Sequence, residues 1–270
     1  MNYTVSCIIP VRNRKEMVSH AIESVLGQEM PQLEIIVVDD ASSDGTPDEI
    51  TRLFPWIKVI RNARCLGPGP SRNIGVEASH GRIIMFLDSD DIWYGHHCTA
   101  LMNALDSGFQ AAYGVTENWN LLDNSVFLIP ETGPMCSDNC FHSLLTWCFM
   151  VPSSFALTRK AFMEVHGFDS FTPGEDWLFF LKLARKFRFA AVTETITLRR
   201  LHKDSLSCAA FDSSAATDML SRVRDMAENA GCGPEEISRI DSILNFTERH
   251  YGKWKNVQDW YMSLKRHGLI

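Results

Sequence analysis

The sequence predicts an α/β protein with a mostly parallel central sheet flanked by helices. Three observations carry that prediction. Largely apolar runs, VSCIIP, LEIIVV and IIMFL, read as strands buried on both faces. Segments of helical periodicity separate the runs. Polar clusters close them, and sheets of this kind bind ligands outside the carboxyl ends of their strands.

The elements follow in order. Val5 to Pro10 is the first strand. A helix comes next, with the apolar pairs Met17/Val18, Ala21/Ile22 and Val25/Leu26 four residues apart, and Pro31 beyond its end. Leu33 to Val38 is the second strand and ends in Asp39-Asp40. Thr46-Pro47-Asp48-Glu49 opens a helix as a capping box with proline at its first position. Ile57 to Ile60 is the third strand, Pro70 to Ser79 a helix stopped by Gly81, and Ile83 to Leu87 the fourth strand. Ala111 to Thr116 and Val126 to Ile129 read as strands joined at Asp123-Asn124. Phe141 to Phe155 is apolar and compatible with helix or strand, and Lys160 to His166 is a short helix. Trp177 to Phe187 is a helix apolar around most of its circumference, hence deeply packed. Beyond Ser205 the chain turns polar and helical.

The chain has 270 residues, 45% hydrophobic and 22% charged, enough for one large core with a small appendage. A net charge of −7 argues against general nucleic-acid binding. Its eight cysteines include no CxxC pair and read as free thiols of a reducing compartment, Cys208 among them. No run approaches the ~18 apolar residues of a membrane span. The N-terminus lacks the basic region of a signal peptide. The expected location is cytoplasmic.

Four clusters carry chemistry. Asp88-Ser89-Asp90-Asp91 closes the fourth strand. Carboxylates two residues apart after a strand reach one hard cation, Mg2+ or Mn2+, which keeps positions open for phosphate. The alternative is a solvated loop in which Asp91 caps the next helix. Asp39-Asp40 lies where a base or ribose would bind, or makes an Asx-turn with Ser42, Ser43, Asp44 and Gly45; Asp40 facing ligand while Asp44 makes the turn satisfies both. Gly67-Pro68-Gly69-Pro70 fails as a dinucleotide fingerprint, because no third glycine falls at the required spacing. Arg72 beyond it reads as a phosphate or base-edge contact, or a surface ion pair. Glu175 and Asp176 open the deeply packed helix; the helix dipole explains them, and so does a general base held still by that helix. His202 after Arg199-Arg200-Leu201 is a third metal ligand, a phosphate donor or a structural histidine.

In this order the segments resemble the family-2 glycosyltransferases, inverting enzymes of the GT-A fold. VSCIIPVRNR resembles the opening strand, IIVVDDASSDGT the uracil-binding strand end, and GPSRNIG with GRIIMFLDSDD the helix and DxD strand. HGFD with GEDW resembles the segment carrying the base, and RLHKDSLS, Arg200 to Ser207, the terminal R-x-H-x-x-S-x-S element. The resemblance covers roughly residues 4 to 207. It implies a GT-A domain over 1–207, with a Rossmann-like nucleotide-sugar half (1–91) and an acceptor half (92–207), followed by a helical extension over 208–270. It implies that Pro10 and Asp40 hold uridine, with Val11, Arg12, Asp39, Arg72 and Ser89 beside the nucleotide sugar. Asp88 approaches the ribose or donor sugar, Asp90 ligates the metal with His202 close by, and Asp176 deprotonates the acceptor hydroxyl. Arg12 stands where the family often carries an aromatic residue. The Gln-x-x-Arg-Trp motif of processive synthases is absent.

The implied activity is a metal-dependent (Mn2+ or Mg2+) inverting hexosyl transfer of one sugar from a nucleotide-diphosphate sugar, UDP-linked, to an acceptor hydroxyl. The acceptor would be a saccharide or a lipid-linked one, in cell-surface polysaccharide or glycolipid synthesis. Two alternatives compete. A nucleotidyltransferase wants a glycine-rich loop after the first strand, and PVRNRKE has none. An inactive nucleotide-sugar binder does not need Asp90, Asp176 and His202 together. The tail, Arg249 to Ile270, carries five Lys/Arg and one Asp among Tyr251, Trp254, Trp260 and Tyr261. It suits either peripheral contact with the inner face of the membrane or a helix packed on the domain.

Overall fold

The structure is a computed structural model that describes residues 4–28, 30, 32–131, 135–170, 174–206, 212–250 and 252–270. Pro31, Ser207, Cys208 and Tyr251 lie outside the described residues.

The first third alternates as the apolar runs require: β1 (Val5–Val11), α1 (Val18–Leu26), β2 (Leu33–Asp39), α2 (Thr46–Leu53), β3 (Lys58–Arg61), α3 (Pro68–Glu77) and β4 (Ile83–Phe86). These strands pair in parallel in the order β3-β2-β1-β4, so their carboxyl ends share one sheet edge. Strand geometry sends alternate residues to opposite faces. Along β1, Ile8 joins the core against α3, whereas Cys7 and Ile9 join the core against α1. The expected capping box at Thr46 does not form. Gly45 is the N-cap, and Asp44 Oδ1 accepts from the amide and hydroxyl of Thr46 instead.

The second half departs from an all-parallel plan. It comprises β5 (Ile92–Trp93), α4 (His97–Asp106), β6 (Ala111–Asn120), β7 (Val126–Ile129), α5 (Phe141–Leu144), a 3-10 turn (Pro152–Ser154), β8 (Phe155–Thr158), α6 (Arg159–Glu164), α7 (Glu175–Ala184) and β9 (Phe189–Leu201). Strand β8 runs antiparallel between β4 and β6, β9 lies parallel to β6, and β5 and β7 add antiparallel edges. The apolar 141–155 stretch is neither one helix nor one strand: a single helical turn, a loop and the 3-10 turn divide it.

Helix α7 is buried on nearly every side, and its Phe179 stacks on Phe168 at 3.9 Å between ring centres. Helices α8 (Ser213–Asn229), α9 (Pro234–Arg249) and α10 (Val257–Arg266) close the same core with Leu220, Val223, Ile240, Ile243 and Leu264. Two of the tail aromatics, Trp260 and Tyr261, pack inward. Trp260 is 4% exposed and donates to Thr247 Oγ1 at 3.0 Å, and Tyr261 stacks on Trp147. The packed-helix reading of the tail therefore describes α10. No helix among the described residues is long and apolar enough to cross a membrane.

Candidate active site

Every cluster singled out in the sequence lies at or just beyond a carboxyl strand end, apart from the start of α7. Hydrogen bonds join the ends. The amide of Asn13 donates to Ser42 Oγ at 2.9 Å and that of Arg14 to Thr46 Oγ1 at 3.1 Å, which ties the end of β1 to that of β2. Arg14 Nε lies 3.4 Å from Asp90 Oδ2, which ties β1 to the loop after β4.

Asp88, Asp90 and Asp91 face their mutual repulsion in three different ways. Asp88 pairs with Arg72, 2.5 Å from Nη2. Asp90 Oδ2 meets both Arg14 and His202 Nε2, the latter at 3.0 Å. Burial pushes the Asp90 carboxyl up, but the His202 hydrogen bond and the Arg14 charge outweigh it and hold it below the usual range. Asp91 is 2% exposed and accepts from Ser153 Oγ and the Arg200 amide. Burial, then the charges of Asp90 and Asp88, push its carboxyl well up. It caps no helix, because β5 follows. Buried Ser153 organises the loop: its hydroxyl accepts from the Asp88 amide while donating to Asp91.

Arg72 is 3% exposed, so the surface ion pair is ruled out. Its guanidinium bridges Asp88 and Glu175, the latter at 3.1 Å, and lies over the Phe168 ring. Despite burial, these two carboxylates raise its proton affinity. Glu175 is buried beside it. Burial and the neighbouring Asp176 charge raise its carboxyl to about 7, against the pull of Arg72. Asp176 is half-buried at the first turn of α7, and Oδ1 accepts from the Trp177 amide at 2.8 Å. Burial raises its carboxyl too, with Arg72 opposing. Gly174 makes this start possible. Its φ of +94° is left-handed, and a Cβ there would run into Met219 of α8.

At the other end of the edge, Pro10 and Val11 are buried in β1 and Arg12 is exposed. Asp39 is fully buried, accepts from the Ser42 amide and pairs with Arg61. Asp40 does not present a free carboxylate. Its two oxygens accept from Asn62 Nδ2, Cys65 Sγ and the amides of Leu66 and Gly67, which uses the acceptor sites a carboxylate has. The loop-making task read for Asp44 is thus shared by Asp40. Ser89 is buried in the loop between Asp88 and Asp90.

Sequence reasoning missed Arg14, Glu175 as the partner of Arg72, and Ser153. Arg14 was findable as a second cation two residues beyond Arg12 in PVRNRKE. Ser153 left no signal, since its role depends on pairing across 62 residues.

Chemically, the edge offers a carboxylate–imidazole pair for a cation, fixed guanidinium charge on both sides, and two carboxyls of raised basicity at the start of α7. The sequence profile of Glycosyl transferase family 2 matches residues 6–167. An uncharacterized glycosyltransferase of Nostoc sp. is 31% identical over 61% of this chain, which spans only 54% of that protein's length. The chain is 26% identical to the UDP-Glc:alpha-D-GlcNAc-diphosphoundecaprenol beta-1,3-glucosyltransferase WfgD of Escherichia coli, over 94% of this chain and 98% of WfgD. Among solved structures, S. aureus TarS 1-349 in complex with UDP-GlcNAc aligns with TM-score 0.70 and 18% identity, over 92% of this chain and 72% of that one. The mannosyltransferase PcManGT of Pyrobaculum calidifontis, in complex with GDP-Man and Mn2+, aligns at 0.63 and 17%, over 93% and 70%. The shared architecture is the mixed, curled GT-A sheet, and the chain belongs to glycosyl transferase family 2.

Proposed function

We propose that the protein transfers one sugar from a UDP-sugar to a hydroxyl of a lipid-linked saccharide, with inversion, in the synthesis of a cell-surface glycan. The observation that supports this most is the meeting of Asp90, His202 and Arg14 beside Asp88, within reach of the α7 carboxyls through Arg72. WfgD, similar along nearly the whole chain, takes UDP-Glc and a diphosphoundecaprenol-linked acceptor by its name, which supports the donor and acceptor classes.

The nucleoside lies against Pro10, Val11 and Arg12. Asp39 and Asp40 shape its wall by fixing the turn at Ser42 and the loop over 62–67. Asp90 and His202 fit a divalent ion, their ligand atoms 3.0 Å apart. Carboxylate suits Mg2+ or Mn2+, and the imidazole tilts the set towards Mn2+. When bound, such an ion supplies positive charge to a leaving diphosphate. Arg14 adds a fixed cation at the same place. Arg72 holds Asp88 towards the donor sugar, and Ser89 lines the loop between them. The acceptor oxygen attacks the anomeric carbon from the face opposite the diphosphate; the bond to the diphosphate breaks as the new glycosidic bond forms. Asp176 takes the hydroxyl proton. Its raised basicity and its position on a packed helix suit a general base.

The test offers a panel of UDP-sugars with a diphosphoprenol-linked acceptor and reads product stereochemistry by NMR. Transfer with inversion is expected from at least one donor. A retained configuration, or nucleotidyl exchange in place of sugar transfer, sinks the reading.

A further inference from the structure

A second ligand cluster lies on the opposite side of the sheet from the donor edge. His142 in α5, Cys232 in the α8–α9 turn and Glu236 in the first turn of α9 bring Nδ1 or Nε2, Sγ and a carboxylate oxygen within 4.8 Å of one another. They line a cleft of about 540 Å³ together with Phe187 and Arg188, the residues just before β9 begins. Strands β4, β6 and β9 run in one direction, because β8 is antiparallel to both β4 and β6 and β9 is parallel to β6. The amino end of β9 is therefore at the edge opposite the Asp88 loop, while His202 follows its carboxyl end.

We propose that His142, Cys232 and Glu236 bind a transition-metal dication, Zn2+ by the chemistry of the donors, which fastens α5 to the α8–α9 turn. Nitrogen, thiolate and carboxylate together are a zinc ligand set. Three protein ligands leave a fourth position for water, and the open cleft admits it. Tetrahedral bonds of about 2.0–2.3 Å put ligand atoms ~3.3–3.7 Å apart, so small side-chain shifts suffice. The ligands are also oriented. Glu236 Oε2 accepts from the Gly233 amide at 3.0 Å, completing the α9 cap, which turns Oε1 to the His142 ring. Cys232 is fixed by its own amide, which donates to Ala227 O, while its thiol lies against Glu236. The neighbouring Asp138 and Phe189 exchange backbone hydrogen bonds, which anchors the approach to α5 on the sheet. On binding, Cys232 gives its thiol proton to solvent, His142 coordinates as neutral imidazole, and the two anionic ligands balance the dication.

Co2+ serves as the probe, on full-length protein stripped with chelator and dialysed. Expected are a near-ultraviolet thiolate-to-cobalt charge-transfer band and visible bands of tetrahedral intensity, both displaced by Zn2+. The donor-edge pair Asp90 and His202 has no sulfur and cannot give that band. Cys232→Ser must abolish it, and His142→Ala must weaken Co2+ by at least ~10²-fold. Cys136→Ser, nearby in α5's approach, must leave it intact. Glu236→Gln keeps a cap acceptor for Gly233 and must still weaken the metal, which separates coordination from folding. Absence of the band in the native chain, or its survival in folded Cys232→Ser, overturns the site.

Discussion

Replacing Arg72 by methionine tests how the site is held together. The substitution keeps most of the side-chain volume and removes the charge. Arg72 is 3% exposed and serves Asp88 and Glu175 at once. Removing one partner of a buried pair costs about 3–5 kcal/mol, because the other is left buried and unpaired. At roughly 2–4 °C per kcal/mol for a domain of this size, the midpoint of thermal unfolding should drop by about 6–20 °C near pH 8. The loss should depend on pH. The Glu175 carboxyl is raised to about 7 in the folded chain, above its ordinary 4.5. A raised carboxyl favours the folded state below the unfolded value, and that advantage is lost as pH climbs through the folded one. Without Arg72 the folded value rises further, since the charge and hydrogen bond of Arg72 pull it down. The variant should therefore lie closer to the native chain at pH 5 than at pH 8. Adding Glu175→Gln should recover most of the loss at pH 8, leaving the partly exposed Asp88 to water. Circular dichroism melts of the native chain, Arg72→Met, Glu175→Gln and the double variant at pH 5, 7 and 8 read all of this. A melt of Arg72→Met within 2 °C of native at pH 8, or a second substitution without effect, refutes the account.

Asp176→Asn keeps the cap on Trp177 and removes the basicity; transfer should fall at least ~10²-fold with UDP-sugar affinity nearly unchanged, and near-normal turnover would mean the base is elsewhere. In the native enzyme kcat/KM should rise with pH through the raised Asp176 value, because a base acts only when ionised. Calorimetry should show UDP binding more tightly with Mn2+ than with EDTA, and Asp90→Ala should erase the difference. Trp260→Ala should cost about 3–5 kcal/mol of stability by emptying a buried site, whereas Met262→Ala on the exposed face of α10 should cost little; equal effects would deny that α10 packs as described.

Strands β1, β2 and β4 were legible because each is a largely apolar run, and burial on both faces leaves that mark directly in the sequence, whereas the edge strand β3, KVIR, is exposed at both ends. Strand β9, FAAVTETITLRRL, left no such mark. It mixes buried, half-exposed and exposed positions without regular alternation, with Thr and Glu among them, and its pairing with β6 is set by residues some 78 apart. The site shows the same division. Asp88 and Asp90 stood out because charge after a strand is locally odd. Glu175 could not be assigned to Arg72 from the sequence, since the two meet across 103 residues. The sequence leaves Asp40 looking ligand-facing because its loop partners, Asn62 to Gly67, come together only in the folded chain.

The shared core of α7 and the last three helices also bears on how the chain is made. Between Ala184, where α7 ends, and Leu264 in α10 lie about 80 residues. Synthesis at 5–20 residues per second takes roughly 4–16 s to produce them. Through that interval the part of the core that Leu220, Val223, Ile243 and Leu264 fill stays incomplete, with Leu264 arriving last. The nascent chain thus carries an uncovered sticky surface late into translation, and a chain cut at residue 207 would carry it permanently. Ribosome-bound intermediates ending between 184 and 264 are where chaperone contact should concentrate.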